Sequence, residues 1–354
     1  MLEKVLAQYG IDASKVEVKP HGSGLINNTW KVCSQPEYIL QKINQQVFKI
    51  PEHIAENIAL IGEFLQKTHP DYLFVSPVKT HDGKEMVVMD NGYFRLSPYV
   101  SGSHTIDVAD NPQQAFEAAK QFGLFTRKLS DFPAKSLKTT IPGFHDLALR
   151  YRQFDEACKQ ASPERLKIAA DAISFIRKHE DIVAQFNAIP NIAGFKLRVT
   201  HHDTKISNVL FDAREKGLCV IDLDTVMPGY FLSDVGDMMR TYLSAVSEEE
   251  TDFSKINVRE EYFNAILQGY LQEMSGELSE VEMNHFVYAG KMIIYMQAVR
   301  FLTDYLNNDI YYGAAYELHN FNRGVNQITL LQRLMDKEKE FSNLQAGFRS
   351  SAIS

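Results

Sequence analysis

The sequence predicts an α+β fold in which a small lobe of antiparallel strands precedes a larger, mainly helical lobe. Short β-prone runs separated by turn residues fill most of the first hundred positions, whereas amphipathic helical patterns fill most of the remainder. The length of 354 residues, with 45% hydrophobic and 23% charged residues, is typical of one large or two modest globular domains. We therefore predict a small lobe over 1–100 and a large lobe over 101–354.

The small lobe is predicted to contain several short strands and one internal helix. The helix covers about 51–66, where Pro51 suits the first turn and apolar residues recur on one face. The strand-like runs are VEVKP, NTWKVCS, YILQKI, LFVSPVKT, EMVVMD and YFRLSPYV. Turn pairs such as Asp82-Gly83 and Asn91-Gly92 separate some of these runs, as expected for antiparallel connections.

The large lobe is predicted to be helical apart from one hairpin. Helical patterns begin at Asn111-Pro112 and then cover about 144–159, 162–188, 232–246, 258–275, 279–306 and 313–340. Ser279 and Glu282 have the spacing of a capping box. The apolar runs NVLF and LCVIDL flank DAREKG, which predicts a hairpin that turns near Gly217.

The charge and cysteine content exclude several function classes. Lysine and arginine number 37 and aspartate and glutamate 45, so the net charge is −8. Such a chain has no broad attraction for nucleic acid or an anionic membrane, although a local basic pocket for a small anion remains open. The three cysteines have no paired spacing, and no segment resembles a signal peptide or a membrane span. We therefore expect a cytoplasmic protein that binds neither nucleic acid nor membrane, with its oligomeric state open.

Four polar residues stand at the ends of the predicted hairpin strands. Asp203 and Asn208 precede the first strand, and Asp222 and Asp224 end the second. Asp and Asn are disfavoured in strands, and acids beside apolar strands must be solvated, paired or bound to a cation. If the strands pair, both polar groups meet at one end of the hairpin. The equal parity of 222 and 224 further predicts that these two side chains share a face.

Such a set of oxygen ligands is typical of a magnesium site that also binds phosphates. A further acid that is not a metal ligand can orient a hydroxyl group and accept its proton. Together these groups could move a phosphoryl group from a nucleotide to an alcohol. The alternative interpretation is a solvated acidic loop without a ligand.

The segments HHDTKISN and VIDLD resemble the catalytic and metal-binding segments of the aminoglycoside phosphotransferase and choline kinase-like superfamily, distant relatives of protein kinases. More closely, RVTHHDTKISNVLFD, VIDLDTVMPG, DVGDMMR and RFLTDYL resemble the N-acetylhexosamine 1-kinases. The resemblance implies a protein kinase-like bilobal fold. It also implies transfer of the γ-phosphate of ATP, with Mg²⁺, to C1 of a small-molecule sugar, N-acetylglucosamine or N-acetylgalactosamine.

The resemblance also implies roles for the hairpin residues. Asp203 matches the catalytic aspartate, which would hold the sugar hydroxyl and accept its proton. Asn208 and Asp222 match the magnesium ligands. Asp224 could join the metal shell or hold a basic neighbour. Lys205 could contact the γ-phosphate and the substrate, or be an exposed lysine.

A glycine-containing segment near the N-terminus resembles the phosphate-covering loop of the same family. Gly22, Ser23 and Gly24 lie between two predicted strands and are followed by Asn27 and Thr29. Glycines there let backbone N–H groups approach phosphates. Taken alone, such a motif is more often a simple hairpin turn.

Two further positions are assigned to the nucleotide by resemblance. Gln41 stands where kinase relatives usually carry a Lys or Arg on the third strand to bind the α- and β-phosphates. The segment RLSPYVSG resembles the hinge between lobes, so Tyr99 and Val100 would contact adenine.

The acceptor is predicted to contact one helix of the large lobe. Arg300 and Asp304 lie four residues apart, which by itself describes a surface ion pair worth a few tenths of a kcal/mol. Because MQAVRFLTDYLNNDIYY matches the sugar-binding helix of the family, Arg300 is expected to contact substrate, with Tyr311 or Tyr312. Asp203 and Lys205 would complete the acceptor site.

Two other functions remain open at this level. A kinase for an amino alcohol, an aminoglycoside or a hydroxy-amino acid would use the same chemistry, but a cationic acceptor favours an acidic pocket, which Arg300 opposes. A nucleotide-binding pseudokinase is the second alternative. Gln41 supports it, whereas the presence of Asp203, Asn208 and Asp222 opposes it.

Overall fold

The computed structural model describes residues 1–22, 26–89 and 92–352. The strands of the small lobe are β1 Glu17–Pro20, β2 Asn28–Cys33, β3 Tyr38–Ile43, β4 Val87–Met89 and β5 Gly92–Pro98. They form one antiparallel sheet in the order β1-β2-β3-β5-β4. Its helices are α1 Leu2–Gln8 and α2 Pro51–Thr68, of which α2 confirms the predicted internal helix.

One face of this sheet is apolar and the other is polar. Trp30, Leu40 and Leu96 are aligned across β2, β3 and β5, and Leu40 and Leu96 are fully buried against α1. Because side chains alternate along a strand, the next aligned row, Thr29, Gln41 and Arg95, points to the opposite face. That polar row faces the large lobe and forms part of the site described below.

One predicted strand is wrong. The run LFVSPVKT, residues 73–80, forms no strand and is joined to β5 by a backbone bond from the Val78 N–H to the Leu96 carbonyl at 2.7 Å. Pro77 has no N–H, so it cannot continue a ladder of hydrogen bonds. The Thr80 hydroxyl then accepts the Lys84 N–H at 2.9 Å and turns the chain.

The large lobe is built mainly from helices that pack around α11. Their bounds are α3 Pro112–Lys128, α4 Leu147–Gln160, α5 Pro163–Ile168, α6 Ala170–Lys178, α7 Asp181–Ala188, α8 Phe231–Tyr242, α9 Glu260–Met274, α10 Glu280–Met283, α11 Phe286–Leu306, α12 His319–Asp336 and α13 Glu338–Ala352. Helix α11 contacts α4, α8 and α12, and α3 packs along α9. The mixed fold with a small antiparallel lobe and a larger helical lobe confirms the predicted fold class, whereas the boundary at residue 100 stays a prediction.

Two predicted helices are divided, and a third begins later than predicted. The pattern over 162–188 forms α5, α6 and α7, and the pattern over 279–306 forms α10 and α11. The predicted start at 313 moves to 319, because Gly313 and Leu318 adopt left-handed backbone conformations that a helix cannot continue through. The capping box of α10 is confirmed: Ser279 Oγ accepts the Glu282 N–H at 3.2 Å, and Glu282 Oε2 accepts the Ser279 N–H at 2.9 Å.

Two pairs of short strands interrupt the helices of the large lobe. Strand β6 Arg198–Thr200 pairs with β9 Met227–Gly229, and β7 Val209–Phe211 pairs with β8 Gly217–Val220. The second pair confirms the predicted hairpin. Across the described ranges, no helix has both the length and the apolar character needed to cross a membrane.

Candidate active site

The loop that follows β6 is held by two buried carboxylates of α8. Asp234 accepts the backbone N–H groups of His201 and His202 at 3.1 and 2.8 Å, and Asp237 accepts that of Thr204 at 2.8 Å. Burial raises the pKa of Asp234 to about 7, although the two N–H groups partly counteract it. These bonds set the conformation of the loop on both sides of Asp203.

Helix α8 is itself placed by close packing on α11. Gly236 lies between the two anchoring carboxylates, and a Cβ atom there would collide with the carbonyl oxygen of Ala289. A glycine is therefore required for the two helix backbones to approach this closely. The same contact couples the loop to α11, which carries Arg300.

Asp203 is ionised and points into the cleft with 19% of its side chain exposed. Its Oδ1 lies 3.2 Å from the ammonium group of Lys205, and its Oδ2 accepts the Asn208 amide at 3.1 Å. Burial raises the pKa of Asp203, but the charge and hydrogen bond of Lys205 and the charge of Arg240 outweigh it, so the net pKa lies below the usual value. Asp203 in turn raises the pKa of Lys205, which keeps that side chain charged.

The hairpin brings Asn208 and Asp222 to the same end. Val209 pairs with Val220, and the Ile221 N–H donates to the Asn208 carbonyl at 2.8 Å. The His201 ring joins the loop to this end, because its Nε2 lies 2.9 Å from the Ile221 carbonyl. Burial lowers the pKa of His201, so the ring is a neutral brace.

Asn208 and Asp222 together fit a cation that phosphates and water also bind. Asn208 donates its amide N–H to Asp203, which leaves its side-chain oxygen as a ligand. Desolvation in the cleft and the nearby Asp224 raise the pKa of Asp222 to about 7, although 42% of its side chain is exposed. Within residues 1–22, 26–89 and 92–352, no three His, Cys, Asp or Glu side chains could hold a metal by themselves. A magnesium ion there would therefore depend on phosphate and water ligands, as it usually does.

Asp222 and Asp224 both approach Arg95, but not as the alternating residues of one strand that the parity predicts. Strand β8 ends at Val220, Asp222 adopts a left-handed conformation with φ 57°, and Asp224 lies in a short 3₁₀ turn. The parity argument holds only for a continuous strand, which this is not. Of the two roles left open for Asp224, the geometry favours the ion pair, because one oxygen binds the guanidinium of Arg95 and the other accepts the Asn27 amide at 2.8 Å.

Arg95 connects Asp224 to the position where kinase relatives carry a lysine. Its Nε and one terminal nitrogen donate to Gln41 Oε1 at 2.9 and 2.8 Å, and the other terminal nitrogen binds Asp224. The Gln41 amide in turn donates to Thr29 Oγ1 at 3.3 Å. We call Asn27, Gln41, Arg95 and Asp224 the inter-lobe clamp. Its cation lies 4.0 Å from Asp222, so a positive charge stands beside the candidate metal ligand.

The remaining predicted nucleotide residues lie at the edge of the small lobe. Gly22 has a left-handed conformation with φ 77° and open space around it, whereas Ser23 and Gly24 lie outside the described residues. In the hinge, the Tyr99 N–H donates to the Glu37 carbonyl at 3.0 Å, and the Val100 carbonyl accepts the Ser103 hydroxyl at 2.6 Å. Adenine recognition would therefore use the other backbone groups of this segment.

All four predicted acceptor residues line one cavity. Asp203, Lys205, Arg300 and Tyr311 surround a space of about 1560 Å³ that reaches from the small lobe to α11. Tyr311 is 73% exposed and stands at its rim. A cavity of this size accommodates a sugar together with phosphate groups.

Arg300 and Asp304 do not form the surface ion pair that was the alternative to a substrate contact. Asp304 is buried and accepts the backbone N–H groups of Tyr311 and Tyr312 at 2.7 and 2.9 Å and the Asn320 amide at 3.1 Å. It therefore holds the loop that carries the tyrosines. Arg300 instead donates to Gln297 at 3.1 Å and faces the cavity.

Several residues of the site were not predicted from the sequence. Arg95 lies in the apolar run YFRLSPYV, where a lone charge in a central strand is the available signal. Asp234 and Asp237 lie three apart on a helix whose other residues are mostly buried, which is also unusual for acids. Arg150 of α4 lines the cavity beside Arg300, but its position along a polar helix gives no signal.

Comparison with known proteins identifies a family and structures of similar fold. Residues 17–277 match the model of the family described as "Phosphotransferase enzyme family". A microcompartment-associated aminopropanol kinase shares the fold with 13% identity and a TM-score of 0.62, over 96% of this chain and 98% of its own. The spectinomycin phosphotransferase APH(9)-Ia, in complex with ADP and spectinomycin, has 15% identity and a TM-score of 0.59, with 93% and 95% coverage. The amicoumacin kinase hAmiN, in complex with AMP-PNP and Ca²⁺, has 13% identity and a TM-score of 0.63, with 94% and 92% coverage. Because the family match spans well over half of the chain, the protein belongs to the phosphotransferase enzyme family.

Proposed function

We propose that the protein is an ATP- and Mg²⁺-dependent kinase that phosphorylates a sugar hydroxyl, namely C1 of an N-acetylglucosamine or N-acetylgalactosamine unit. One observation carries the proposal: Asp203, Lys205, Arg300 and Tyr311 line a single cavity, and an ionised carboxylate stands where the acceptor would enter. Complexes of similar folds with ADP and with AMP-PNP and Ca²⁺ support the nucleotide and a divalent cation.

In the proposed reaction, the acceptor oxygen forms a bond to the γ-phosphorus while the bond from that phosphorus to the ADP oxygen breaks. The acceptor proton passes to Asp203. Because its pKa is below the usual value, Asp203 is a weak base whose main contribution is to orient the hydroxyl. An anomeric hydroxyl is more acidic than an ordinary alcohol and therefore suits such a base.

Charge neutralisation would come from three groups around the phosphates. A magnesium ion bound by Asn208 and Asp222 would neutralise part of the phosphate charge when present. Lys205, beside Asp203, would place its ammonium group near the transferred phosphoryl group. Arg95 would act at longer range, through Asp222 and Asp224.

An amino alcohol, an aminoglycoside or a hydroxy-amino acid is the second candidate acceptor, and kinases of similar fold act on aminopropanol and spectinomycin by their names. A cationic group would require free carboxylates at the acceptor end of the cavity. There, Asp304 is occupied by backbone N–H groups, and Arg150 and Arg300 contribute positive charge. These charges favour a neutral or anionic acceptor.

The pseudokinase alternative rests on Gln41, and the inter-lobe clamp weakens it. A glutamine at this position accepts two hydrogen bonds from Arg95 and so has a structural role that a lysine could not fill. Its presence is therefore no sign of lost catalysis.

The test is ADP release with N-acetylglucosamine, N-acetylgalactosamine, ethanolamine, an aminoglycoside and a hydroxy-amino acid, followed by phosphorus NMR of any product. We expect turnover with an N-acetylhexosamine and a signal for a sugar 1-phosphate. Turnover with ethanolamine alone would assign the second candidate. ATP binding without turnover of any acceptor would assign the pseudokinase.

A further inference from the structure

Two arginines face the acceptor end of the cavity without a carboxylate partner. Arg150 of α4 and Arg300 of α11 line the main cavity and also an adjoining one of about 480 Å³. Arg150 donates to Gln153 and to the Gly143 carbonyl at 3.1 and 2.9 Å, and Arg300 donates to Gln297. In the described part of the chain, neither arginine belongs to an ion pair, and the Nε of Arg150 is buried without a hydrogen-bond partner.

The carboxylates nearby are already engaged. Asp304 binds two backbone N–H groups and Asn320, Glu156 pairs with Lys159 at 2.6 Å, and Asp146 caps α4 through the Leu149 N–H at 2.9 Å. Burial and the charge of Arg300 lower the pKa of Arg150, in keeping with the two cations lining the same cavities. A group of this kind is stabilised by an anion that the protein itself does not supply.

Other cations of the same cavity show the usual arrangement. Arg240 binds Asp237 and Glu248, each at 3.0 Å, and Arg323 binds Glu248. The absence of such partners at Arg150 and Arg300 is therefore local. It stands out in a chain whose net charge is −8.

We propose that Arg150 and Arg300 form an anion-binding subsite, and that the preferred acceptor is a sugar carrying a carboxylate, sulfate or phosphate group away from the reacting hydroxyl. The inference rests on the proposed function and narrows its acceptor class. Guanidinium groups bind such anions through two parallel N–H donors, which gives both affinity and orientation.

An aromatic wall of Phe144, His145 and His202 lines the same cavity as this subsite and Asp203. Arg300 lies 6.0 Å from the centre of the Phe144 ring, and Phe144 stacks on His145 with ring centres 4.4 Å apart. His145 and His202 both contact the hydroxyl of Ser233, and His202 directly precedes Asp203. Burial keeps both histidines neutral, so they add no competing charge. A sugar lying along this aromatic wall would place one end at Asp203 and the other at the arginines.

The experiment compares kcat/KM for N-acetylglucosamine, its 6-sulfate and 6-phosphate esters, and glucuronic acid, using ADP release. We expect at least one anionic acceptor to exceed the neutral sugar by about tenfold or more, the range for a charge-assisted hydrogen bond. The three anionic acceptors distinguish sulfate, phosphate and carboxylate. Arg150→Gln and Arg300→Gln should each remove most of this preference, mainly through KM, whereas Arg150→Lys should retain part of it.

The ratio of anionic to neutral kcat/KM separates binding from folding, because a merely structural defect lowers both values alike. Arg333→Gln, an exposed arginine of α12 outside the cavity lining, is the matched control and should leave the ratio unchanged. Equal or better use of the neutral sugar, with the same loss for all acceptors in both arginine variants, would overturn the subsite while the kinase proposal stands. Turnover with ethanolamine and with no sugar would overturn both.

Discussion

Arginine side chains lie on both sides of the cleft, and the two sides differ in the groups to which these arginines donate. On the small-lobe side, Arg95 is 5% exposed and donates to Gln41 and Asp224. On the acceptor side, Arg150 and Arg300 line open space and donate only to neutral groups. Arg95 therefore joins structural elements, whereas Arg150 and Arg300 have N–H donors that are available to a ligand.

This difference distinguishes an arginine that stabilises the fold from arginines that can bind a ligand. A cation whose donors are all bound by the protein holds elements in place, and removing it leaves a buried carboxylate behind. A cation with free donors contributes little to folding and is available to a ligand. Variants on the two sides should therefore fail in different assays.

The largest effect is expected at Asp203, where the two sides meet. Asp203→Asn should lower kcat by about two to four orders of magnitude, the usual contribution of a positioned base. Affinity for ATP should remain within a few-fold, because Asp203 is placed outside the metal pair. Nucleotide titration beside steady-state kinetics checks both, with the exposed Asp171→Asn as a control. A collapse of ATP binding would move Asp203 to the nucleotide side.

The next effect concerns stability. Arg95→Met leaves the buried Asp224 carboxylate without its cation and should cost about 3–5 kcal/mol in free energy of unfolding. The double variant Arg95→Met, Asp224→Asn should recover part of the loss, because the orphaned charge is gone. Arg300→Met, which strands no carboxylate, should cost less than about 1 kcal/mol. Urea unfolding of the three variants measures the contrast, and equal losses at Arg95 and Arg300 would break it.

A smaller effect is expected at the candidate metal ligand. Asp222→Ala should weaken magnesium-dependent binding of a non-hydrolysable ATP analogue by at least about tenfold, because Mg²⁺ relies on few protein oxygens. Calorimetric titration with and without Mg²⁺ isolates this contribution. Asp224→Asn serves as the comparison. This substitution should affect the free energy of unfolding more than magnesium-dependent nucleotide binding. Unchanged binding in Asp222→Ala would place the cation elsewhere.

The smallest effect is a pH dependence of stability that comes from Asp234. This carboxylate binds the backbone N–H groups of His201 and His202 in the loop that carries Asp203. Its pKa of about 7 in the folded protein exceeds the usual value of 3.8, so the folded state takes up a proton that the unfolded chain releases. Stability from this group is therefore full at low pH and is lost as pH rises toward 7, by at most about 1.4 kcal/mol per pH unit. Asp234→Asn should flatten the slope between about pH 4 and pH 7. Asp222, whose pKa is also raised, is present in both the wild-type protein and the variant, so it does not affect this comparison. Identical slopes for the two proteins would contradict the role of Asp234.

The parts of the site that depend on local sequence could be predicted. The hairpin follows from two apolar runs around a polar turn, and it alone brings Asn208 and Asp222 together. The fold class follows from the change of periodicity near residue 100. Both signals lie within a few dozen residues of chain.

The parts that depend on register or tertiary contact could not be predicted. That Arg95 lies directly across from Gln41 requires the pairing of β3 with β5, which are more than fifty residues apart. The position of the Asp224 side chain depends on the left-handed conformation of Asp222, which an argument from strand parity cannot predict. The spacing of Arg300 and Asp304 also fits a surface ion pair, and only the structure shows that backbone N–H groups of the following loop occupy that carboxylate.

The inter-lobe clamp has a consequence for product release. Asn27 and Arg95 both bind Asp224, and Asn57 of α2 donates to the carbonyls of Val226 and Lys138 at 3.0 and 2.8 Å. The small lobe is thus fastened to the base of the cleft at two neighbouring points. Separation of the lobes as units would expose the charged Asp224 side chain, so we expect ADP to leave through the outer mouth of the cleft.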